Sequence, residues 1–336
     1  MRTPPWQHVI QASRKAAFCK IVFDMKTAFF SHDDCKLHEM GAWHPEAPSR
    51  LQAIEDAVRQ SPVAAVLDWR SGPLATEADL ARVHTTDAIY RIRENCPSQR
   101  SEYAHFPLDA DTGLNAHSWQ AALRAAGLSM SAVDAVMQGE ADNAFCAIRP
   151  PGHHASASQS MGFCLFNNVA IAARYAQARY GLKRIAIVDF DVHHGNGTED
   201  IFSGDNSILM AGFFQHPFYP YCGTEFPAEN MLNTPVDAST DGEVIRRIVN
   251  QSWLPAMQRF RPELILISAG FDAHRDDEMA QMCLTETDYA WMTQQILQVA
   301  QKYASGRIVS CLEGGYNLNA LSKSVIAHLS VLTGLS

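Results

Sequence analysis

The chain has 336 residues, 47% of them hydrophobic, with 36 acidic against 27 basic side chains and a formal net charge of -9. No basic stripe runs along it to follow a phosphate backbone, which argues against nucleic acid as a direct partner. No apolar run reaches the ~18 residues of a membrane span, and no signal peptide is recognisable, so no membrane partner is expected. The eight cysteines lack CxxC spacing, which indicates reduced thiols and a cytoplasmic protein.

The first 24 residues differ in composition from the rest, because they carry basic groups and no acidic residue before Asp24. We expect residues 1–24 to be an extension that is dispensable for activity. From residue 25 onward no linker, long charge run or internal repeat divides the sequence. Residues 25–336 are therefore predicted to form a single domain.

Segments with helical spacing alternate with short apolar runs along the chain. Helices are predicted over Ser118–Met137, Asn167–Tyr180, Asp241–Phe260 and Glu286–Tyr303, with Asp241 and Thr285 as N-caps. Runs of strand length cover residues 144–148, 184–190, 207–214, 263–270 and 307–315. Strands that are apolar on both faces and alternate with helices indicate a parallel sheet covered on both sides, and so a three-layer α/β/α fold.

Four chemically suggestive segments follow strands of this predicted sheet. They are RPPGHHA (149–155), DFDVHHGNGT (189–198), GFDAHRDD (270–277) and EGGYN (313–317). Ligands of open α/β sheets bind beyond the carboxyl ends of the strands. We therefore expect the four segments to meet at one edge of the sheet.

Polar residues alternate at the end of one strand, at Asp189, Asp191 and His193, and an extended backbone would place these side chains on one face. Together with Asp272 from another strand end, Asp191 and His193 offer one nitrogen and two oxygen donors. Such a set leaves a position open for water, as catalytic zinc sites require. Asp191, His193 and Asp272 are therefore predicted to bind a metal ion.

The tandem His153 and His154 follow a Pro-Pro-Gly sequence, whose restricted and permissive backbones favour a fixed tight turn. Histidine titrates near neutral pH, so both side chains are candidates for proton transfer. Asp189 and Asn196 are candidates for the partner that fixes the tautomer of each imidazole. Tyr316, after two glycines, could donate a hydrogen bond to a developing oxyanion.

These segments, with GFCLFNNVAIAA (162–173) and HEMGAWHPEAPSR (38–50), resemble the zinc-dependent histone deacetylase superfamily in its class II-like bacterial branch. The resemblance runs from about Thr27 to the C-terminus, with the motifs in family order. It implies the arginase-deacetylase fold, in which an eight-stranded parallel sheet lies between helical layers. It also implies one Zn²⁺ per chain, held by Asp191, His193 and Asp272.

The resemblance further implies catalytic roles for five residues. His154 would be the general base and acid, oriented by Asn196, and His153 would give electrostatic support with Asp189. Tyr316 matches the tyrosine that binds the transition state. The implied reaction is hydrolysis of an acetylated lysine or a similar acetylated amine.

Channel residues are implied by the same resemblance. Phe163 and Tyr219 match the aromatic walls of a narrow acyl-lysine channel, and Gly162 matches the residue whose carbonyl lines it. Asp109 and Asp111 are candidates for contacting a peptide backbone. Potassium binding through backbone carbonyls near Asp189, Asp191 and His193 is suggested, although Gly212 and Phe214 stand where relatives commonly place a serine and a histidine.

Several alternatives stay open at this point. An acetylpolyamine amidohydrolase is the first, but Met279 stands where polyamine-preferring relatives have a glutamate, with Glu278 adjacent to it. An arginase-like enzyme would build a second metal site from Asp272, His274 and Asp276. A non-catalytic acyl-lysine binder would not need both histidines and Tyr316. The sequence also leaves both a monomer and a homo-oligomer open.

Overall fold

The computed structural model describes residues 25–98 and 105–335. The predicted extension over residues 1–24 lies outside the described residues. Within the described ranges, no helix is both long enough and apolar enough to cross a membrane.

A parallel sheet organises the described chain. The strands are β1 (Thr27–Phe30), β2 (Leu67–Arg70), β3 (Phe106–Pro107), β4 (Gly113–Leu114), β5 (Asn143–Cys146), β6 (Ile185–Asp189), β7 (Ile208–Gln215), β8 (Met231–Val236), β9 (Leu264–Ala269) and β10 (Ile308–Leu312). Eight of them pair in the order β2-β1-β5-β10-β9-β6-β7-β8, all parallel, while β3 and β4 form a short antiparallel ribbon. The eight-stranded parallel sheet that the resemblance implied is confirmed.

Helices cover both faces of this sheet. They are α1 (Ser49–Gln60), α2 (Glu77–Leu80), α3 (Thr86–Asn95), α4 (Ser118–Met137), α5 (Asn168–Tyr180), α6 (Asn196–Phe202), α7 (Gly242–Ile248), α8 (Leu254–Phe260), α9 (Glu286–Tyr303) and α10 (Leu318–Leu332). Helix α10 packs against α1 and α9, and α4 packs against α5. The three-layer α/β/α prediction is confirmed.

The central strands are apolar because both of their faces are covered. Every residue of β5, β6, β9 and β10 is buried. The edge strands β2 and β8 are partly exposed, and polar residues appear in them. Burial on both faces explains the continuous apolar runs of the central strands, and partial exposure explains why the two edge strands lack such a run.

The four predicted site segments follow β5, β6, β9 and β10, which are neighbours in the sheet. Because these strands run parallel, their carboxyl ends lie at the same edge. The expected convergence of the four segments is therefore confirmed.

Two predicted elements differ in detail. The helix predicted over Asp241–Phe260 is divided, since a π-helical stretch over Val249–Trp253 separates α7 from α8. Pro255 lies in the first turn of α8 and has no backbone N–H, so the regular α-helical hydrogen bonding is interrupted there. The N-caps are at the predicted residues: Asp241 Oδ1 accepts from Glu243 N–H and Val244 N–H, and at Thr285 the Asp288 carboxylate accepts from the Thr285 N–H and hydroxyl.

The extended alternation at Asp189 is also corrected. Strand β6 ends at Asp189, and residues 191–193 form a bend. The bend has a local cause, because Asp191 N–H donates to Asp189 Oδ1 at 3.1 Å. Phe190 and Val192 still pack into the core, while the polar side chains between them face the site.

Candidate active site

Two carboxylates and an imidazole converge at the carboxyl edge of the sheet. His193 Nδ1 lies 3.1 Å from Asp191 Oδ1 and 3.2 Å from Asp272 Oδ2. The ligand atoms of these three buried side chains lie within 4.8 Å of one another. Asp272 Oδ2 is buried and accepts no hydrogen bond from the described residues. The three predicted metal ligands are therefore together, and Asp272 Oδ2 lies near His193 Nδ1 without a hydrogen bond to it or to any other described residue.

Backbone amides fix the two carboxylates. Val192 N–H donates to Asp272 Oδ1 at 2.9 Å, and His193 N–H donates to Asp191 Oδ1 at 2.8 Å. Gly314 N–H, from the segment after β10, donates to Asp191 Oδ2 at 2.8 Å. Hydrogen bonds to a carboxylate favour its charged form, so the backbone prepares both groups to act as anionic donors.

Glycines leave the space that the carboxylates fill. A Cβ at Gly270 would lie 2.0 Å from Asp191 Oδ2, and a Cβ at Gly314 would lie 2.0 Å from Asp272 Oδ2. Any side chain at either position would overlap a carboxylate oxygen. Close approach of the backbone to the cluster therefore requires glycine at both positions.

The tandem histidines occupy the predicted turn. Ala155 N–H donates to Gly152 O at 3.0 Å, which closes a turn with His153 and His154 at its centre. Their ring centroids lie 4.0 Å apart. Gly152 N–H and His153 N–H both donate to Glu313 Oε2, at 2.6 Å and 3.1 Å. The buried Glu313 thus holds the turn from the neighbouring strand β10.

Each histidine has the partner that the sequence predicted. His153 Nδ1 lies 3.0 Å from Asp189 Oδ2, and His154 Nδ1 lies 2.8 Å from Asn196 Oδ1. Both oxygens accept, so each Nδ1 carries a proton and donates it. For His154 this leaves Nε2 as the acceptor.

The two imidazoles differ in charge because their surroundings differ. Burial disfavours a charge on His153, but the neighbouring carboxylates, Asp191 foremost, raise its pKa well above the usual value. Burial and the charge on His153 lower the pKa of His154 well below the usual value. His153 is therefore the positively charged imidazolium, protonated on both ring nitrogens, and His154 is the neutral imidazole.

Burial and neighbouring charges also shift the pKa values of two acidic groups around the cluster. Burial and the Asp191 carboxylate raise the pKa of Asp272 to about 6. Burial and the Asp272 carboxylate raise the pKa of Tyr316 well above that of a free phenol. The Tyr316 hydroxyl therefore keeps its proton and is a hydrogen-bond donor at neutral pH.

A cavity of about 200 Å³ opens from this cluster to the surface. Seven residues predicted for the site line it: His154, Gly162, Phe163, His193, Tyr219, Met279 and Tyr316. Asp111 lines it as well, whereas Asp109 lines the adjoining depression. Sequence reasoning missed Phe218, which lines the cavity and stacks on His193 with ring centroids 5.7 Å apart. Its position directly before Tyr219 was the only sequence indication.

Phe163, whose ring forms one wall of the cavity, has a strained backbone conformation. Phe163 has a φ of +67°, which is costly for a residue with a bulky side chain. Its N–H donates to Thr112 Oγ1 at 3.1 Å, and its ring meets the ring of Tyr316 edge-on at 5.9 Å. These contacts hold the ring against the cavity in spite of the strain.

The absence of a side chain at Gly162 leaves space for His154 and Tyr219 on the other side of the cavity. Its φ is +56°, and a Cβ there would lie 2.4 Å from His154 Cδ2 and 2.9 Å from Tyr219 Oη. The Tyr219 ring meets the ring of His154 edge-on at 5.3 Å. Gly162 therefore lets an aromatic wall and a histidine approach each other.

A buried charge network behind Tyr316 was also missed. Glu46 forms ion pairs with Arg149 and with Arg50, whose Nη1 lies 3.0 Å away. Burial opposes its charge, but the two guanidinium groups lower the pKa of Glu46 to about 2. Arg50 Nε donates to Gly315 O at 2.6 Å, and its guanidinium lies 4.9 Å from the Tyr316 ring centroid. Glu46 precedes α1, so its pairing with Arg50 is not a contact within the helix, and no local pattern in the sequence indicates it.

The second metal site of the arginase-like alternative is not assembled. His274 Nε2 lies 3.2 Å from Glu286 Oε2, turned away from the cluster, and the Asp276 side chain is 58% exposed. Among the described residues, the other group of converging donors is His153, Cys164 and Glu313. Within this second group, His153 already pairs through Nδ1 with Asp189 Oδ2, which lies 3.0 Å away.

Comparison with known proteins agrees with this geometry. The sequence model of the histone deacetylase domain matches residues 44–332. A histone deacetylase-like amidohydrolase of Pseudomonas aeruginosa is 34% identical, over 92% of this chain and 87% of its own length. The chloroplastic histone deacetylase 14 of Arabidopsis thaliana is 36% identical, over 87% of this chain and 73% of its own. The crystal structure of an HDA15 HD domain superposes with a TM-score of 0.85 at 34% identity, covering 93% of this chain and 89% of that one.

Fold and sequence together place the protein in one class, the three-layer α/β proteins of the arginase-deacetylase type. Within that class, the chain belongs to the histone deacetylase family. It is thus a member of a family of deacetylases and amidohydrolases.

We expect Gly162→Ala to lower kcat/KM at least about tenfold on any acetylated substrate, because its Cβ would displace His154 or Tyr219. Gly181→Ala is the matched control, since Gly181 has a φ of +71° but no atom within 4 Å of its Cβ position. Both variants should lose about 1–2 kcal/mol of unfolding free energy in urea titrations. Equal activity of the two variants would contradict this assignment of the cavity wall.

Proposed function

We propose that this protein is a zinc-dependent deacetylase that hydrolyses acetylated lysine side chains, or similar acylated amines, to acetate and free amine. One observation carries the proposal: His154, whose Nδ1 is bonded to Asn196 Oδ1 and whose Nε2 is left as an acceptor, lines the same cavity as His193 and Tyr316. A base, a candidate metal ligand and an oxyanion donor are what amide hydrolysis needs at one place.

The residues present fit a zinc ion. Asp191, His193 and Asp272 supply two oxygens and one nitrogen, all buried, and no described residue donates a hydrogen bond to Asp272 Oδ2. Three protein ligands with a further position for substrate or water is the pattern of catalytic zinc. Bound there, zinc would supply Lewis-acid chemistry, polarising the acyl carbonyl and lowering the pKa of a water. We propose one zinc ion per chain.

His154 makes both proton transfers, and the other protein groups orient it or stabilise the charge that develops. His154 Nε2 takes a proton from the water that attacks the acyl carbon, while Asn196 Oδ1 holds the ring through its Nδ1–H. The Tyr316 hydroxyl donates a hydrogen bond to the acyl oxygen as negative charge develops on it. His154 Nε2 then returns the proton to the leaving nitrogen, and the C–N bond breaks. His153 is already protonated and paired with Asp189, so it supports the charge without competing for this proton.

Acetyl-lysine is the substrate class that we favour. Met279 lines the cavity, whereas Glu278 lines an adjoining depression with Pro45 and Leu318. The mouth therefore carries an apolar side chain where polyamine-preferring relatives have a carboxylate, and Met279 offers no charge to a distal ammonium group.

Acetylpolyamines are the second candidate because Asp111 also lines the cavity. Potassium binding stays a prediction: Gly212 pairs with Asp189 in the sheet and offers no side-chain oxygen, so backbone carbonyls would have to hold the ion. A single domain over residues 25–336, a dispensable extension and a cytoplasmic location are likewise proposed from the sequence.

Removing any of the three ligands should remove the metal and nearly all activity. We expect Asp191→Ala, His193→Ala and Asp272→Ala each to lose bound zinc, measured per chain by elemental analysis. Asp276→Ala, in the same loop as Asp272, should keep one zinc per chain and its activity. Full activity in a verified metal-free sample would refute zinc dependence, and two metal ions per chain would favour the arginase-like alternative.

Tyr316→Phe should keep zinc but lower kcat by on the order of 100-fold or more, because one preorganised oxyanion donor is lost. We expect His154→Ala to be at least as damaging and His153→Ala to be less damaging. Steady-state rates on an acetyl-lysine peptide and zinc content of the same samples measure both effects. A neutral Tyr316→Phe with a slow acetamide substrate would remove the phenol from the chemistry.

The native protein should show a higher kcat/KM for acetyl-lysine peptides than for acetylspermidine or acetylputrescine. Met279→Glu should shift that ratio toward polyamines, because it adds a carboxylate at the cavity mouth. Met279→Gln is the control of similar size without charge, and it should leave the ratio nearly unchanged. A strong native preference for acetylated polyamines would instead support the second candidate.

A further inference from the structure

Asp277 is a buried carboxylate that the proposed chemistry does not use. It is 4% exposed and lies in the loop after the metal ligand Asp272. Its own N–H donates to His274 O at 2.9 Å, which anchors the residue within that loop. A buried charged group needs hydrogen-bond partners, so its contacts indicate what it holds in place.

The partners of Asp277 are backbone amides on two sides of the cavity mouth. Its Oδ2 accepts from Tyr316 N–H at 2.6 Å and from Asn317 N–H at 2.9 Å. Its Oδ1 accepts from Met279 N–H at 3.0 Å. One carboxylate therefore joins the segment of the oxyanion donor to the residue at the mouth.

The segment that carries Tyr316 has no regular secondary structure between β10 and α10. Arg50 holds it through carbonyl oxygens, donating to Gly315 O, and Asp277 holds it through N–H groups. Backbone hydrogen bonds hold the start of the segment, since Glu313 N–H donates to Ala269 O and Phe271 N–H donates to Gly314 O. At Tyr316 and Asn317, by contrast, the backbone N–H groups donate to the Asp277 side chain.

We propose that Asp277 is a positioning residue, which sets the place of the Tyr316 hydroxyl and of Met279 through their backbone amides. The inference rests on the proposed function, because it takes Tyr316 as the oxyanion donor. A carboxylate suits this position, since it has about four acceptor sites for three N–H groups. An asparagine has one acceptor oxygen and would turn its NH₂ group toward at least one of these donors.

The test compares Asp277→Ala and Asp277→Asn with Asp276→Ala, which removes an adjacent exposed carboxylate. We expect Asp277→Ala to lower kcat about 10- to 100-fold with zinc content unchanged, and Asp277→Asn to retain an intermediate rate. In a Tyr316→Phe background the effect of Asp277→Ala should shrink to less than about threefold, because the group that it positions is already absent. An equal loss in both backgrounds would overturn the proposal.

Hydrogen exchange gives a second readout that does not depend on activity. In Asp277→Ala, or in Asp277→Asn should the alanine variant not fold, the amides of Tyr316 and Asn317 should exchange at least about tenfold faster than in Asp276→Ala. Unchanged exchange would overturn the proposal even if activity fell. Faster exchange in a protein that hydrolyses no acetylated amine would support the positioning role of Asp277 and contradict the proposed function.

Discussion

Burial of like charges at one edge of the sheet is the constraint on which the rest of the site depends. Five carboxylates lie buried there: Asp189, Asp191, Asp272, Asp277 and Glu313. Each would be strongly disfavoured without compensation. The compensation comes mainly from backbone N–H groups of the segments that follow the central strands, so the course of those segments is fixed by the carboxylates that they must reach. The irregular backbone after β6 and β10 is a consequence of this requirement.

The same charges give the two neighbouring histidines, His153 and His154, different protonation states. His153 faces carboxylates and keeps a proton, while His154 faces His153 and an amide oxygen and stays neutral. Neither imidazole would have its role in the other's surroundings. Adjacent residues in a single turn thus differ in charge, as the proposed roles of a charged support and a base require, because one points into the anionic cluster and the other toward the cavity.

Helix and strand positions were predicted correctly from the sequence where local interactions determine them. Helices α4 and α9 begin and end at the predicted residues, because apolar spacing acts locally and because Thr285 precedes α9 as its N-cap. The division at Val249–Trp253 was missed, since the apolar spacing continues through it and only Pro255 indicates a break. The edge strands β2 and β8 were missed because exposed strands need no continuous apolar run.

In the site, residues with a chemical signature were predicted and those that support them were not. The candidate ligand set was predicted from residue type and spacing at strand ends, and the pairing of each histidine with its partner was implied by the family resemblance. Glu46, Phe218 and Asp277 act through contacts with segments distant in sequence, which no local pattern indicates. Bends such as that at Asp191 are likewise decided by side-chain hydrogen bonds that form only in the folded chain.

The bond from Arg50 to the carbonyl of Gly315 joins residues 265 positions apart. It lies directly behind the Tyr316 ring, so the environment of that ring needs both the first helix and the last strand of the described chain. A contact of such separation requires that the first and last parts of the chain are both present and brought together. A partly synthesised chain therefore lacks a finished cavity, and hydrolytic competence arises only as the whole domain closes.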